Sequence, residues 1–487
     1  MSNQVRVRIA PSPTGHLHVG TARSALYNLL FARHHQGIFI LRLEDTDEVR
    51  SNETFTQDII DGLKWLGMSW DEGVDIGGPC APYRQTEKIE HYNQIANNLI
   101  KSGHAYFCYC TPEELTELKD NQKNAGLPAR YDNRCRNLST EKEEKYQAQG
   151  RIPAIRFKVD EPRVVTWHDA IRGDILIDSI DLGGDLVIIK SSGTAIYNFA
   201  VVIDDIDMKI THVIRGEDHI HNTAKQLLIY EALRAKPPVF AHVALMVDLD
   251  RHKLSKRAHG EAVHVAKYRK DGYMPEAMLN YLAQMSWTHP DGKEIYTLEE
   301  ACQRFDLNAV SKSPAVFDVQ RLNWFNSQYI RSMPLDVVAA RCREFLKQYD
   351  LTKYSREDFL AIIACLRDAL TTLSEIAQAA AFFFVDSVEI PADLRTTLLA
   401  KDPSKQVINE LIGALDSMPF GDRVACKAIV DAIGKKLGLK GKDLYWPIRA
   451  ALSGVTSGPD LGSTISILGK DRIKSRLEAA LYDLNVV

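Results

Sequence analysis

The chain has 487 residues, 45% of them hydrophobic and 25% charged, with 28 Gly and 19 Pro; such a composition belongs to folded domains, about three at this length, and excludes collagen-like, low-complexity and disordered classes. Sixty basic against 64 acidic side chains leave a formal charge of −4, so any surface for a polyanion has to be local. No segment approaches the roughly 18 apolar residues of a membrane span, and the eight cysteines are mostly isolated, so a cytoplasmic protein with reduced thiols and no membrane partner is expected.

In chain order, VRVRIA predicts a strand, PSPTGHLHVG a Gly/Pro loop, TARSALYNLLFARHHQG a helix ending at Gly37, and IFILRLED a second strand, which together make a βαβ unit. The stretch from about Lys101 to Ile189 has another character: a charged helix near TPEELTELKDNQKNAG, short strands AIRFKV and DILIDS, and the clustered cysteines. It reads as a separate lobe. DLVIIK, TAIYNFAVVIDD, THVIRG, HNTAKQLLIYEAL and VFAHVALMV then resume the alternation of strands and helices, so two half-sheets flank an insertion. After Arg257 the chain turns helical with PEAMLNYLAQMSW and TLEEACQRF. Past about Asn326 LDVVAARCREFLKQYD, DFLAIIACLRDALTTLSEIAQAAAFFF and KDLYWPIRAALSG all show helical apolar periodicity. Residues 401–487 carry 13 Lys and Arg against 10 Asp and Glu. The fold class is α/β followed by an all-α domain.

PSPTGHLHVG falls where an open α/β sheet binds ligands, at the carboxyl end of a strand and the start of the next helix. Gly15 and Gly20 allow close backbone approach, Pro11 and Pro13 stiffen it, and His18 can donate to phosphate oxygens near the helix dipole. Neither G-x-x-x-x-G-K-[ST] nor G-x-G-x-x-G follows the strand, which argues against P-loop and dinucleotide enzymes. A second anchor, DLDRHKLSKRAHG, gathers Lys253, Lys256 and Arg257 after a strand end, where cations could close over a triphosphate. Taken alone it is more simply a solvated basic turn; its pairing with the first loop changes that reading.

RIAPSPTGHLHVG, LRLEDTDEVRS, APYRQTEK, VIRGEDH and KLSKR follow the order seen in bacterial glutamyl-tRNA synthetases, which are class I aminoacyl-tRNA synthetases, and the whole chain resembles that family. His18-Val19-Gly20-Thr21 looks like the HIGH signature with its second histidine replaced, and Lys253 to Arg257 looks like KMSKS. The resemblance implies an ATP-dependent glutamate–tRNA ligase with a Rossmann-like parallel-sheet catalytic domain in two halves, residues 1–100 and 190–257. It further implies an α+β insertion for the tRNA acceptor end at 101–189, a stem-contact region at 258–325, and a helical anticodon-binding domain at 326–487.

The same resemblance implies ATP contacts from Ser12, Gly20, Lys253, Ser255, Lys256 and Arg257. Activation would be served by His18, Lys253 and Lys256 with Mg²⁺ assisting, and a glutamate pocket would comprise Arg8, Ser12, Glu44, Tyr197 and Arg215. The partner is tRNA(Glu), and a monomer is expected. Read from the residues alone, Arg8 and Glu44 sit on otherwise apolar strands where an unpaired charge is costly, so either a pocket or a mutual salt bridge is required. Without the resemblance Tyr197, in AIYNFA, reads as a core aromatic with a satisfied hydroxyl. Cys108, Cys110 and Cys135 group three soft ligands. Some family members hold zinc here with a fourth ligand two residues past the third cysteine, which in this chain is Asn137, a poor ligand; Tyr131, His104 or a water are alternatives, and buried thiols without metal are another. Tyr445, Trp446, Arg449 and Arg367 are candidates for anticodon reading. A glutaminyl-tRNA synthetase and a non-catalytic tRNA-binding protein are rival readings; the helical final third disfavours the first, and the retention of both His18 and Lys256 the second.

Overall fold

The computed structural model describes residues 4–47 and 50–482. The alternation at the start of the chain becomes a parallel ladder, in which β1 (Arg6–Ile9) and β2 (Ile38–Leu41) pair Val7 with Phe39 and Ile9 with Leu41. Both strands are almost wholly buried, as parallel strands covered on two faces must be. The connecting helix α1 (Val19–His34) starts earlier and stops sooner than the sequence suggests. It starts early because the His18 ring accepts the Gly20 N–H and so caps the helix. It stops early because Gln36 takes a positive φ of 51°. Next come α2 (Glu53–Trp65), capped by Asn52, the short β3 (Glu72–Gly73) against β2, and α3 (Ile89–Lys101).

The insertion begins with β4 (Ala105–Cys108) and α4 (Pro112–Asn124), whose start is fixed by a Thr111–Glu114 capping box. Neither α4 nor α5 (Thr140–Ala148) buries a residue, in keeping with their charge. β5 (Ala154–Phe157) pairs antiparallel with β4, β6 (Val164–Asp169) and β7 (Gly173–Asp178) form a hairpin, and β8 (Leu186–Ile189) returns beside β5.

TAIYNFAVVIDD forms one helix from Tyr197, α6 (Tyr197–Asp207), followed by β9 (His212–Gly216), α7 (Ile220–Ala232) and β10 (Val239–Val243). The ladder of β9 and β10 is parallel, with Arg215 opposite His242. Thr211 exchanges hydrogen bonds of 2.9 Å with the backbone of Arg6, which brings β9 alongside β1 and joins the two half-sheets. The hairpin of β6 and β7 is not confined to the lobe: Asp169 pairs with Phe240, so the sheet runs β7-β6-β10-β9. One core containing Ile40, Tyr92, Phe199, Val202, Val213 and Phe240 underlies both halves, and a small separate one holds Tyr106, Cys108, Tyr131 and Cys135.

The chain divides into two compact units, Met1–Arg269 with Met278–Val319, and Lys270–Ala277 with Gln320–Val487. The second is built of helices, chiefly Leu335–Cys342, Arg356–Leu366, Asp402–Ala414, Arg423–Leu437, Lys442–Ser453 and Leu461–Tyr482. The apolar run DFLAIIACLRDALTTLSEIAQAAAFFF is broken after Leu366, because Leu370 and Thr372 are extended, and continues only as short turns. Pro447 lies inside Lys442–Ser453. The buried Arg476 donates to the carbonyls of Leu452, Phe382 and Val385 and so ties three segments together. Among the described residues no helix is long and apolar enough to cross a membrane.

Candidate active site

A cavity of about 660 Å³ opens at the carboxyl ends of β1 and β9. Its wall includes Arg8, Ser12, Glu44, Tyr197 and Arg215, together with His18 and Gly20 from the loop after β1 and Lys253 from the KLSKR loop. Ser255, Lys256 and Arg257 are not part of that wall. Ser255 caps a short helix, α8 (Lys256–His259), and Arg257 is exposed. The Lys256 ammonium stands over Gly15.

Segments distant in sequence meet here because the backbone stitches them together. His18 bridges His264, Val265 N–H donates to the Leu17 carbonyl at 3.0 Å, and Asp58 accepts from Leu17 N–H at 2.8 Å. As the cap of α1, His18 accepts the Gly20 N–H at Nδ1 (2.9 Å), so its proton resides on Nε2. Burial lowers its pKa to about 4, with Lys256, His264 and Lys253 adding to the effect; the ring is a neutral donor at physiological pH. Lys253 is held by Asp218 at 3.0 Å.

The side of the cavity formed by Arg8, Glu44 and Arg215 rests on buried charge. Arg8 does not pair with Glu44; its Nε and Nη2 donate to Asp205 at 3.1 and 3.2 Å. Glu44 lies beyond the end of β2, and its partner is Arg42, at 3.4 Å. Arg42, fully buried, also donates to Asp205 at 2.7 Å and lies 3.6 Å from Asp204. Burial opposes the Arg42 charge, but Asp205, Asp204 and Glu44 outweigh it and raise its pKa. Burial pushes the Glu44 carboxyl up to about 7 against the pull of Arg42 and Arg8. Sequence reasoning missed Arg42, Asp204 and Asp205. The available signal was an acidic pair closing an otherwise apolar helix, which has to meet cations.

Arg215 differs from Arg8. Only 7% exposed, it donates through Nε to His242 at 3.2 Å, through Nη2 to Thr223 and Gln226 at 2.7 and 2.8 Å, and through Nη1 to Tyr197 at 3.5 Å. All of these partners are neutral or hydroxyl groups, and among the described residues no carboxylate forms an ion pair with it. Burial lowers its pKa, yet a guanidinium stays charged. A buried cation on a cavity wall without a contact anion is a socket for an anionic ligand. Tyr197, besides meeting Arg215, hydrogen-bonds the His219 ring at 3.0 Å.

In the insertion the Sγ atoms of Cys108, Cys110 and Cys135 lie within 4.8 Å of one another, with Cys110 to Cys135 at 3.5 Å. Tetrahedral zinc with Zn–S of 2.3 Å separates its sulfurs by about 3.8 Å, so the donor set fits that ion. Asn137 is exposed. The Tyr131 hydroxyl instead lies 3.4 Å from Cys108 Sγ and 3.7 Å from Cys110 Sγ. Hydrogen bonding from Cys110 and Cys135 holds the Cys108 thiol far below its ordinary range, while Cys108 and Cys135 push the Cys110 thiol up.

In the second unit most of the anticodon candidates have intramolecular partners: Tyr445 donates to Asp431 at 2.7 Å, Arg449 to the Pro459 carbonyl at 2.6 Å, and the Lys442 ammonium sits 4.7 Å from the Trp446 ring centroid. Arg367 lies 3.6 Å from Asp368 and is partly exposed.

Residues 4–324 match the family described as tRNA synthetases class I (E and Q), catalytic domain. Residues 337–481 match an anticodon binding domain. The chain is 44% identical over 478 residues to a glutamate–tRNA ligase of Carboxydothermus hydrogenoformans, covering 97% of this chain and 99% of that one. It is 41% identical to the Bacillus subtilis glutamate–tRNA ligase over 483 residues, covering 98% and 100%. A crystal structure of a glutamate tRNA ligase from Elizabethkingia meningosepticum in complex with its amino acid superposes with a TM-score of 0.89 at 34% identity, covering 99% of this chain and 100% of that one. The chain therefore belongs to the glutamate–tRNA ligase family of class I aminoacyl-tRNA synthetases.

Proposed function

We propose that the cavity activates L-glutamate with ATP and passes the glutamyl group to the 3′ end of tRNA(Glu) in translation. A carboxylate oxygen of glutamate attacks the α-phosphorus of ATP, the bond to the β-phosphate oxygen breaks, and diphosphate leaves. A ribose hydroxyl of the tRNA then attacks the acyl carbon, releasing AMP and glutamyl-tRNA(Glu). This in-line chemistry needs positioning and charge neutralisation more than a covalent nucleophile. Mg²⁺ enters with the nucleotide as part of the substrate.

Arg215 and Arg8 take the carboxylates of glutamate, Glu44 its ammonium, and Ser12 and Tyr197 supply hydrogen bonds. His18 donates from Nε2 to a phosphate oxygen beside the Gly20 backbone, and Lys253 and Lys256 meet the departing diphosphate, with Ser255 and Arg257 shaping their loop. The observation that carries the reading is Arg215, a buried cation on the cavity wall held only by uncharged groups. Residues 101–189 hold the acceptor end, 258–325 contact the stem, and the helices of 326–487 read the anticodon. Cys108, Cys110 and Cys135 hold zinc, with the Tyr131 hydroxyl as fourth ligand; the ion braces the lobe that contains them. The protein acts in the cytoplasm as a monomer.

Glutamate-dependent exchange of diphosphate with ATP, run with and without tRNA, tests the activity. Exchange that depends on glutamate and not on glutamine supports the reading, and absence of exchange in both conditions overturns it.

A further inference from the structure

Directly behind Arg215, outside the cavity wall, lies a fully buried pair that the proposed chemistry does not use. Asp169, at the end of β6, and His242, on β10 opposite Arg215, are both 0% exposed. Asp169 Oδ1 accepts the backbone N–H groups of Ile171, Arg172 and His242 at 3.0, 2.9 and 3.2 Å, and its Oδ2 takes the Nδ1–H of His242 at 2.5 Å. Burial works against the Asp169 charge, but the His242 and backbone donors prevail and hold its pKa down. Burial lowers the pKa of the His242 ring against the opposing pull of Asp169, and Arg215 beside it adds to the lowering.

A neutral imidazole whose Nδ1 carries the proton must present a lone pair at Nε2. That lone pair faces Arg215 Nε at 3.2 Å and the Thr223 hydroxyl at 3.0 Å. The other tautomer would set two N–H groups against each other. The order of the groups matters for charge as well as geometry. A carboxylate touching Arg215 would form a contact ion pair and compete with any anionic ligand, whereas an imidazole in between orients the guanidinium and leaves its charge for the cavity.

We infer that Asp169 and His242 are positioning residues for the amino-acid substrate: Asp169 fixes the imidazole tautomer, and His242 Nε2 accepts from Arg215 Nε and aims the guanidinium at a substrate carboxylate. The inference rests on the reading of Arg215 as a carboxylate holder given above.

The test measures the KM for glutamate and for ATP separately in tRNA charging. Asp169→Asn is nearly isosteric but no longer enforces the tautomer; it raises the glutamate KM about tenfold or more with the ATP KM unchanged. His242→Gln, which keeps an acceptor for Arg215, falls between wild type and His242→Leu. A second readout needs no variant to fold: the wild-type enzyme labelled with ¹⁵N-histidine shows His242 protonated at Nδ1 and bare at Nε2. An Nε2–H tautomer overturns the inference, as does an Asp169→Asn enzyme whose glutamate KM is unchanged or rises no more than its ATP KM. Arg215→Lys separates the relay from the reading beneath it. An unchanged glutamate KM in that variant removes the carboxylate role of Arg215 altogether; a raised one, beside an indifferent Asp169→Asn, removes only the relay.

Discussion

The ammonium of Lys256 lies over Gly15, so that a Cβ added at Gly15 would collide with Nζ and stand 3.4 Å from Cε. The two nucleotide loops thus meet at a position where only the absence of a side chain admits the cation. In Gly15→Ala the flexible end of the lysine is displaced while the backbone keeps its course. The expected result is a loss of about tenfold or more in the rate of diphosphate exchange, as for other small misplacements of a reacting group, with the glutamate KM and melting temperature unaltered. Exchange at the wild-type rate would show that the ammonium does no work at this position.

The proposed role of Glu44 predicts a pH dependence whose sign follows from its burial. Burial pushes its carboxyl up to about 7, and in that role a protonated Glu44 could not pair with the substrate ammonium. The glutamate KM therefore rises as pH falls below about 7, approaching tenfold per unit, while the ATP KM does not follow it. Stability moves the other way. The folded chain retains this proton up to about pH 7 and the unfolded chain releases it near pH 4.3, so across that window the folded state binds more protons and its stability declines as pH rises. Glu44→Gln should melt higher than wild type at pH 8 and fail to charge tRNA. A glutamate KM that stays level from about pH 6 to pH 8 would refute this role.

Asp205 is the shared anion of Arg8 and Arg42. Asp205→Asn leaves two buried guanidinium groups short of a charge, a loss of about 3–5 kcal/mol by analogy with other broken buried pairs, readable by urea denaturation. Because the Asp205 charge also helps raise the Glu44 carboxyl, the acid limb of the glutamate KM shifts to lower pH in the same variant. Stability within about 1 kcal/mol of wild type would place the pairing in doubt.

The thiol cluster is tested by elemental analysis of the purified enzyme. About one zinc per chain is expected, less in Cys135→Ser, and a weaker hold against chelators in Tyr131→Phe, which loses only the hydroxyl near Cys108 and Cys110. Metal content near zero in a fully active preparation would end the proposal.

Local chemistry was legible where the pattern is short-range. The strands read in VRVRIA and IFILRLED, the Gly/Pro loop between them and the charged helix near TPEELTELKDNQKNAG all correspond to elements that local hydrogen bonding dictates. The residues expected at the glutamate pocket from resemblance, Arg8, Ser12, Glu44, Tyr197 and Arg215, line one cavity. Their partners were not legible. The two strand charges, Arg8 and Glu44, required either a pocket or a mutual salt bridge; they line the cavity, and the anion that pairs with Arg8, Asp205, arrives from a helix 197 residues away in sequence, a meeting no periodicity encodes. Helix ends were missed for a similar reason: the cap of α1 is a histidine ring, a residue without strong capping propensity.

The hairpin of β6 and β7 joins the β9–β10 sheet through a single registered pair, Asp169 with Phe240. Beside that rung the Ala170 N–H donates to the Phe240 carbonyl and Arg172 Nε to the His242 carbonyl, so turn and side-chain bonds fasten the hairpin where the ladder does not. The rung coincides with the carboxylate behind Arg215, so the residue that fastens the hairpin to the sheet is also the one that orients the ring against that guanidinium.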